Sequence, residues 1–404
     1  MKAIFAFGLL VLTAFLGSQF LFKRKKLFLP LSYFFLSGLI YVFLGLSLGK
    51  NGLNVLSPEV LEGLNPLISL GLGWVGFIFG FQLEYRYLRR FPQKYVELSL
   101  LQSLFVICLV VVAFGWLLRS LFPSEPSAIL YGMAVALGLF LSLNSPSLLN
   151  FASSEIPQKG NYYHLARFLV SVSGFWGIGG LALVASFWHF RFFENNIFSI
   201  GKGFVLLLCS TIFPIFVAYV FHFLTIKKTS EHDLLVYLLG LVFFASGTAA
   251  YFNLPSLYIC MVLGITFSNL TRIQEKLYPL ILSTEKPFYI IFLILIGALW
   301  EFNLDYKVAI LVAVLLILRV VGYSFPLRPF GKILRFSFPL PAHFGLCFLS
   351  SGGIAVAFIV SLKLIYPFPL IDVFVSVALI ATILSELLGP WALKISILKL
   401  DTEK

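Results

Sequence analysis

Apolar stretches of about twenty residues recur along this chain, and short polar loops separate them. Each stretch is long enough to cross the ~30 Å hydrocarbon core of a bilayer as a helix. A membrane β-barrel would instead show alternating segments of about ten residues. The composition agrees with lipid as the solvent, because 60% of the 404 residues are hydrophobic and only 11% are charged. The sequence therefore predicts an all-α polytopic membrane protein.

We predict about thirteen transmembrane helices in one membrane domain that spans residues 1–404. Lys2, ahead of the first apolar run, also fits a signal peptide, but no small-residue cleavage site follows it. The predicted helices lie at residues 3–22, 28–48, 66–84, 97–120, 127–150, 164–188, 199–224, 233–252, 254–270, 285–302, 306–327, 342–364 and 369–395.

The basic residues give the chain a formal net charge of +12, and they lie mostly in alternate loops. This asymmetry is the positive-inside pattern of membrane proteins rather than a basic face for nucleic acid, so no nucleic-acid partner is expected. It predicts an integral protein of a bacterial inner membrane, with the N-terminus outside and the C-terminus in the cytoplasm.

Helix-breaking residues interrupt the fifth and the twelfth apolar runs. Pro146 removes a backbone donor in the fifth run, and Ser350 and Ser351 precede two glycines in the twelfth. The two runs are an odd number of helices apart and so have opposite orientations. Paired broken helices in two inverted halves indicate a transporter's binding site near the midplane. The other interpretation is an ordinary proline kink and a glycine-rich packing face.

Several segments together resemble the cation/proton antiporter superfamily, in particular Kef-type antiporters and sodium/hydrogen exchangers. The resemblance keeps helix order over nearly the whole chain. The segments are residues 79–90, 246–265, 285–297 and 318–322. It implies an NhaA-like fold with inverted halves, approximately 1–190 and 230–400, linked by the helix at 199–224. It also implies a homodimer in the lipid bilayer that exchanges Na⁺ or K⁺ for protons.

The chain departs from that family at its sixth helix. The family's turn of Thr-Asp-Pro or Thr-Ser-Pro type corresponds here to Asn144, Ser145 and Pro146. The aspartate that the family places on the sixth helix is missing, and Ser171 and Ser173 lie in the corresponding stretch. The uncharged candidates for a transport site are therefore Asn144, Ser145, Pro146, Ser171, Ser173, Ser350 and Ser351.

Exchange by competition requires a group that binds either a cation or a proton, as a buried carboxylate does. Serine and asparagine oxygens can coordinate a cation but do not titrate near neutral pH. These residues could also simply hydrogen-bond between packed helices.

Three charged residues complete the candidates. Arg319 lies inside the eleventh helix. The resemblance implies that a basic residue here supports the broken-helix core, and the alternative is contact with substrate. Glu285 opens the predicted tenth helix, either in a site or as an interfacial residue. Glu386 is the deepest carboxylate, and it could titrate, pair with Arg319 or face a water-filled crevice.

No histidine or cysteine spacing fits a metal site, and no nucleotide-binding or catalytic motif is present, so we expect no enzyme, cofactor or metal. Three functions remain: monovalent cation/proton exchange, a degenerate antiporter fold acting as a sensor or membrane subunit, and transport of an anion or neutral solute. A hydrated midplane cavity would favour transport if it is lined by Asn144, Ser145, Ser173 and Ser351. A midplane plugged by Phe175 and Trp176 would favour the degenerate fold. An Arg319 that faces an open cavity without a carboxylate would favour an anion.

Overall fold

The computed structural model describes residues 8, 10–13, 38–50, 52–145, 148–149, 161–188, 200–225, 231–270, 274–301, 305–366 and 370–402. These residues form fourteen α-helices and one 3₁₀ helix of 7 residues. The α-helices are α1 Ile40–Leu48, α2 Pro58–Gln82, α3 Tyr85–Leu88, α4 Gln93–Leu121, α5 Ser127–Leu141, α6 Asn161–Phe187, α7 Ile200–Thr225, α8 Glu231–Tyr251, α9 Ser256–Leu270, α10 Gln274–Leu299, α11 Tyr306–Ser324, α12 Leu327–Ile333, α13 Gly352–Ile365 and α14 Ile371–Thr402. The 3₁₀ helix is Ala342–Phe348, and it precedes α13.

Six of the described helices are long and apolar enough to span a membrane, and a bent pair makes a seventh span. Four shorter apolar helices lie at the predicted fifth, eighth, ninth and tenth positions. Helix α1 is the end of the predicted second helix, and most of the predicted first helix lies outside the described residues. The described part of the chain therefore follows the predicted order of helices, as an integral membrane protein.

Helix boundaries differ from the prediction where polar residues continue a helix beyond its apolar run. Helix α2 begins at Pro58 rather than at residue 66, with Glu59 in its first turn. Proline is well placed at the first position of a helix, and a carboxylate suits its positive end. Helix α10 begins at Gln274 rather than at residue 285, and its first residues, Gln, Glu, Lys and Leu, are good helix formers.

Glycines bring pairs of helices into backbone contact. A Cβ on Gly76 or Gly80 of α2 would collide with the carbonyl oxygen of Leu257 or Met261 on α9. We call this contact the glycine seam. Gly45 brings α1 equally close to the backbone of α10. Small residues drive helix association in lipid because they allow backbones to approach.

Helix α4 presents a buried face that begins polar and becomes apolar. Ser99 and Gln102 lie on this face, and Val106 follows one turn later. Gln102 donates a hydrogen bond to the carbonyl of Tyr323 on α11 at 3.3 Å, and Gly322 packs against Val106. Helix α4 thereby holds α11 beside the two broken helices.

Candidate functional site

The two interrupted helices meet at their breaks. Helix α5 ends at Leu141, so the predicted fifth helix does not run unbroken to residue 150. The 3₁₀ helix and α13 are bent by 63° relative to one another across the second break. The amide of Ser145 donates to the carbonyl of Ser350 at 3.1 Å. We call this meeting point, residues 142–145 and 349–352, the crossing.

Gly352 is required at the crossing for two reasons. Its φ of +64° lies in the left-handed region, which side-chain-bearing residues rarely adopt. A Cβ at this position would also collide with the side chain of Ser145. The glycine predicted as a helix breaker thus permits both the turn and the close approach of the two chains.

Arg319 joins both breaks from the side of α11. It is 1% exposed, and its Nη1 donates to Ser351 Oγ at 2.6 Å. Its Nη2 reaches the carbonyls of Leu143 at 2.9 Å and Ser350 at 3.2 Å, and its Nε reaches the carbonyl of Phe348 at 3.3 Å. These carbonyls follow the ends of α5 and the 3₁₀ helix, where the partial charge is negative. All three guanidinium nitrogens are therefore engaged by protein oxygens.

Asn144 and Tyr323 extend this network. Asn144 Nδ2 donates to the Tyr323 hydroxyl at 2.9 Å, and its Oδ1 accepts from Arg319 at 3.3 Å. The Tyr323 hydroxyl in turn donates to the carbonyl of Leu141 at 3.1 Å. Sequence analysis missed Tyr323, although its position four residues after Arg319 places both on one face of α11.

Glu386 approaches the crossing from α14, opposite in charge to Arg319. It is 1% exposed, and its Oε1 accepts from the Ser350 hydroxyl and from the Gly352 amide, both at 2.7 Å. Its buried Oε2 has no hydrogen-bond partner among the described residues. The carboxylate lies at the first residue of α13, where the helix end is positive.

Arg319 and Glu386 are the only charged side chains buried within the described part of the chain. None of the ion pairs between described residues joins them. They are connected instead through the second break, where Arg319 binds Ser351 and Glu386 binds Ser350. Ser351 Oγ also lies 3.4 Å from Ser385 Oγ, a residue that sequence analysis did not select, although it directly precedes Glu386.

The serines predicted on α6 make local contacts. Ser171 donates to the carbonyl of Arg167 at 2.8 Å, and Ser173 donates to that of Val170 at 3.0 Å. Helix α6 meets the crossing at Gly177, where a Cβ would collide with the side chain of Leu143. The structure therefore assembles Asn144, Ser145, Ser350 and Ser351 but gives Ser173 no hydrogen bond to them.

The residues of the predicted plug, Phe175 and Trp176, contact each other, and Trp176 also contacts helix α4. Their rings pack edge to face at 5.1 Å, and Trp176 Nε1 donates to Ser99 Oγ on α4 at 3.1 Å.

The interpretation of Glu285 as the first residue of the tenth helix is wrong, since α10 begins at Gln274. The side chain of Glu285 and all of Pro146 lie outside the described residues.

Two structures of the sodium proton antiporter MjNhaP1 from Methanocaldococcus jannaschii resemble this chain over its whole length. The structure at pH 8 has a TM-score of 0.71 and 15% identity, covering 98% of this chain and 99% of the other. The structure from electron microscopy has a TM-score of 0.67 and 16% identity, covering 100% of this chain and 99% of the other.

The chain has the fold of a sodium/proton antiporter. This likeness confirms the predicted all-α antiporter fold. No family model matches the sequence, and no curated protein matches it. The antiporter fold is thus recognised from the arrangement of helices, at an identity that carries no residue roles with it.

Proposed function

We propose that this protein is a secondary transporter that exchanges a monovalent cation, Na⁺ or K⁺, for protons across the membrane. The observation that carries the proposal is the crossing, where two interrupted helices meet beside one buried carboxylate. Broken helices of this kind form the ion sites of many transporters, because the backbone carbonyls freed at the break and the ends of the half-helices can coordinate ions. The fold it shares with a sodium proton antiporter supports the same function.

The charges at the crossing suit a cation better than an anion. Arg319 offsets the negative ends of α5 and the 3₁₀ helix, and all of its nitrogens already donate to protein oxygens. An anion would have to displace these bonds. A cation would instead find the carboxylate of Glu386 and the hydroxyls of Ser350 and Ser351, which are the hard oxygen ligands that such ions prefer.

Exchange at this site requires movement. Arg319 and Glu386 are buried, so the crossing must open to each side of the membrane in turn. In transporters with inverted repeats, one group of helices rocks or slides against the other around a fixed site. The two inverted halves, the homodimer and the cytoplasmic C-terminus belong to this proposal, and the positive-inside pattern supports the orientation.

A sensor or membrane subunit is the second candidate. It is favoured by α6, which brings Gly177 and no carboxylate to the crossing. In this alternative the fold is retained, and the buried charges only hold the broken helices together.

The experiment is a pH-gradient assay in proteoliposomes that contain the purified protein. We expect addition of Na⁺, K⁺ or Li⁺ to collapse the gradient with at least one of these cations, while protein-free liposomes keep it. If no cation moves protons although thermal unfolding shows folded protein, exchange is refuted and the second candidate gains.

A further inference from the structure

Four side-chain oxygen groups gather where α14 passes the second break. Glu386 and Ser385 come from α14, and Ser350 and Ser351 come from the break itself. Two contacts join these groups in pairs: Ser350 Oγ donates to Glu386 Oε1 at 2.7 Å, and Ser351 Oγ lies 3.4 Å from Ser385 Oγ. All four residues are at most 2% exposed. The set therefore combines one titratable group with three neutral oxygen ligands away from water.

The two oxygens of Glu386 differ in a way that suggests a ligand. Oε1 is held by the Gly352 amide and the Ser350 hydroxyl, which fixes the carboxylate in place. Oε2 is buried and has no partner among the described residues. Leaving a buried carboxylate oxygen unsatisfied is costly, and a bound proton or cation would remove that cost.

We propose that Glu386, with Ser350, Ser351 and Ser385, forms the site at which a monovalent cation and a proton compete. The carboxylate that titrates would then lie on the last helix, α14, rather than on α6. The part of this proposal that concerns transport rests on the proposed function. The competition itself is an equilibrium property, so it can be tested without transport.

Arg319 explains why the two ligands exclude one another. Its guanidinium stays protonated in proteins, so the crossing is neutral overall when Glu386 is ionised. One proton or one Na⁺ brings the crossing to the same single positive charge. A cation that binds next to a protonated Glu386 would meet Arg319 without a compensating negative charge. Binding of the cation therefore requires release of the proton from Glu386 to solvent.

If the role of Glu386 is purely structural, Glu386→Gln should release as many protons on cation binding as the wild type does. Glutamine keeps an oxygen that can accept from the Gly352 amide, so Glu386→Gln preserves the contact with the start of α13. It cannot release a proton. Glu301→Gln is the matched control, because Glu301 is exposed and contacts only Lys50, at 3.6 Å, among the described ion pairs.

The test measures proton release from detergent-solubilised protein in weakly buffered solution with a pH indicator dye, at a series of starting pH values from acid to alkaline. NaCl, KCl and LiCl are added in turn, with choline chloride as the control for ionic strength. We expect one of the three metal cations to release protons from the wild type and from Glu301→Gln, and none to do so from Glu386→Gln. Release from Glu386→Gln equal to that of the wild type would overturn the proposal, as would the absence of release from the wild type.

Ser385→Ala covers the case in which Glu386→Gln does not fold. It keeps the carboxylate and removes one hydroxyl, so the cation concentration for half-maximal release should rise several-fold while the maximal release stays unchanged. An unchanged half-maximal concentration would contradict the site. If release follows these expectations but proteoliposomes show no exchange, the binding site stands and the proposed transport function falls.

Discussion

The crossing and the glycine seam both bring two helices into backbone contact inside the protein, but they do so in different ways. The contact is between Ser145 and Ser350 at the crossing and between Gly80 and Met261 in the seam. In the seam both helices are continuous, so their backbone groups are already paired and only close packing is needed. At the crossing both helices are interrupted, so carbonyls and amides need partners from side chains.

The difference explains where the buried charge lies. Arg319 donates to carbonyls at the ends of α5 and the 3₁₀ helix, and Glu386 accepts from the first amide of α13. The glycine seam has no buried charged residue among the described positions. Among the described residues, buried charge therefore lies only at the place where helices are broken. We expect the crossing to be sensitive to loss of a charged group, and the seam to be sensitive to added volume.

The largest effect is expected for Arg319→Met. Methionine fills similar space but removes the Arg319 donor from the carbonyls of Leu143 and Phe348, and it leaves the Ser350 carbonyl with the Ser145 amide. It also leaves Glu386 as an uncompensated buried charge. Removal of one buried charge from such a network costs about 3–5 kcal/mol of unfolding free energy. Thermal unfolding in detergent should show a large drop in Tm. Arg119→Met, at an exposed position in the last turn of α4, is the control and should leave the Tm almost unchanged.

A smaller effect is expected in the glycine seam. Gly80→Ala places a methyl group against the backbone of Met261, so α2 and α9 must separate. Overpacking of this kind costs about 1–3 kcal/mol. Gly63→Ala, on the same helix, is the matched control, because a Cβ there meets nothing within 4 Å. Equal Tm values for the two variants would mean that the seam does not depend on backbone contact.

The smallest effect is expected for Ser173→Ala. Among the described residues, Ser173 bonds only to the carbonyl of Val170 on its own helix, so its loss should change the unfolding free energy by less than about 0.5 kcal/mol. Exchange in proteoliposomes should also keep its rate. Ser351→Ala offers the contrast, since it removes a hydroxyl that accepts from charged Arg319, a bond worth about 1.5–3 kcal/mol. A strong loss of exchange in Ser173→Ala but not in Ser351→Ala would instead indicate that α6 contributes to the transport site.

The sequence by itself determined the class of fold, the order of the helices and the positions of the two breaks. These follow from hydrophobicity and from Pro146, Ser350 and Ser351, which act locally along the chain. It also selected Arg319 and Glu386 as the charges worth attention, because a charge inside an apolar run is costly in lipid.

Only the tertiary structure decided which groups those residues bind. It showed that Arg319 binds both breaks, that Glu386 binds Ser350 and Gly352 instead of pairing with Arg319, and that Ser173 bonds within its own helix. The contact between Ser145 and Ser350 joins residues far apart in sequence. Such contacts depend on how helices cross and rotate against each other, and hydrophobicity along one chain segment carries no information about that geometry.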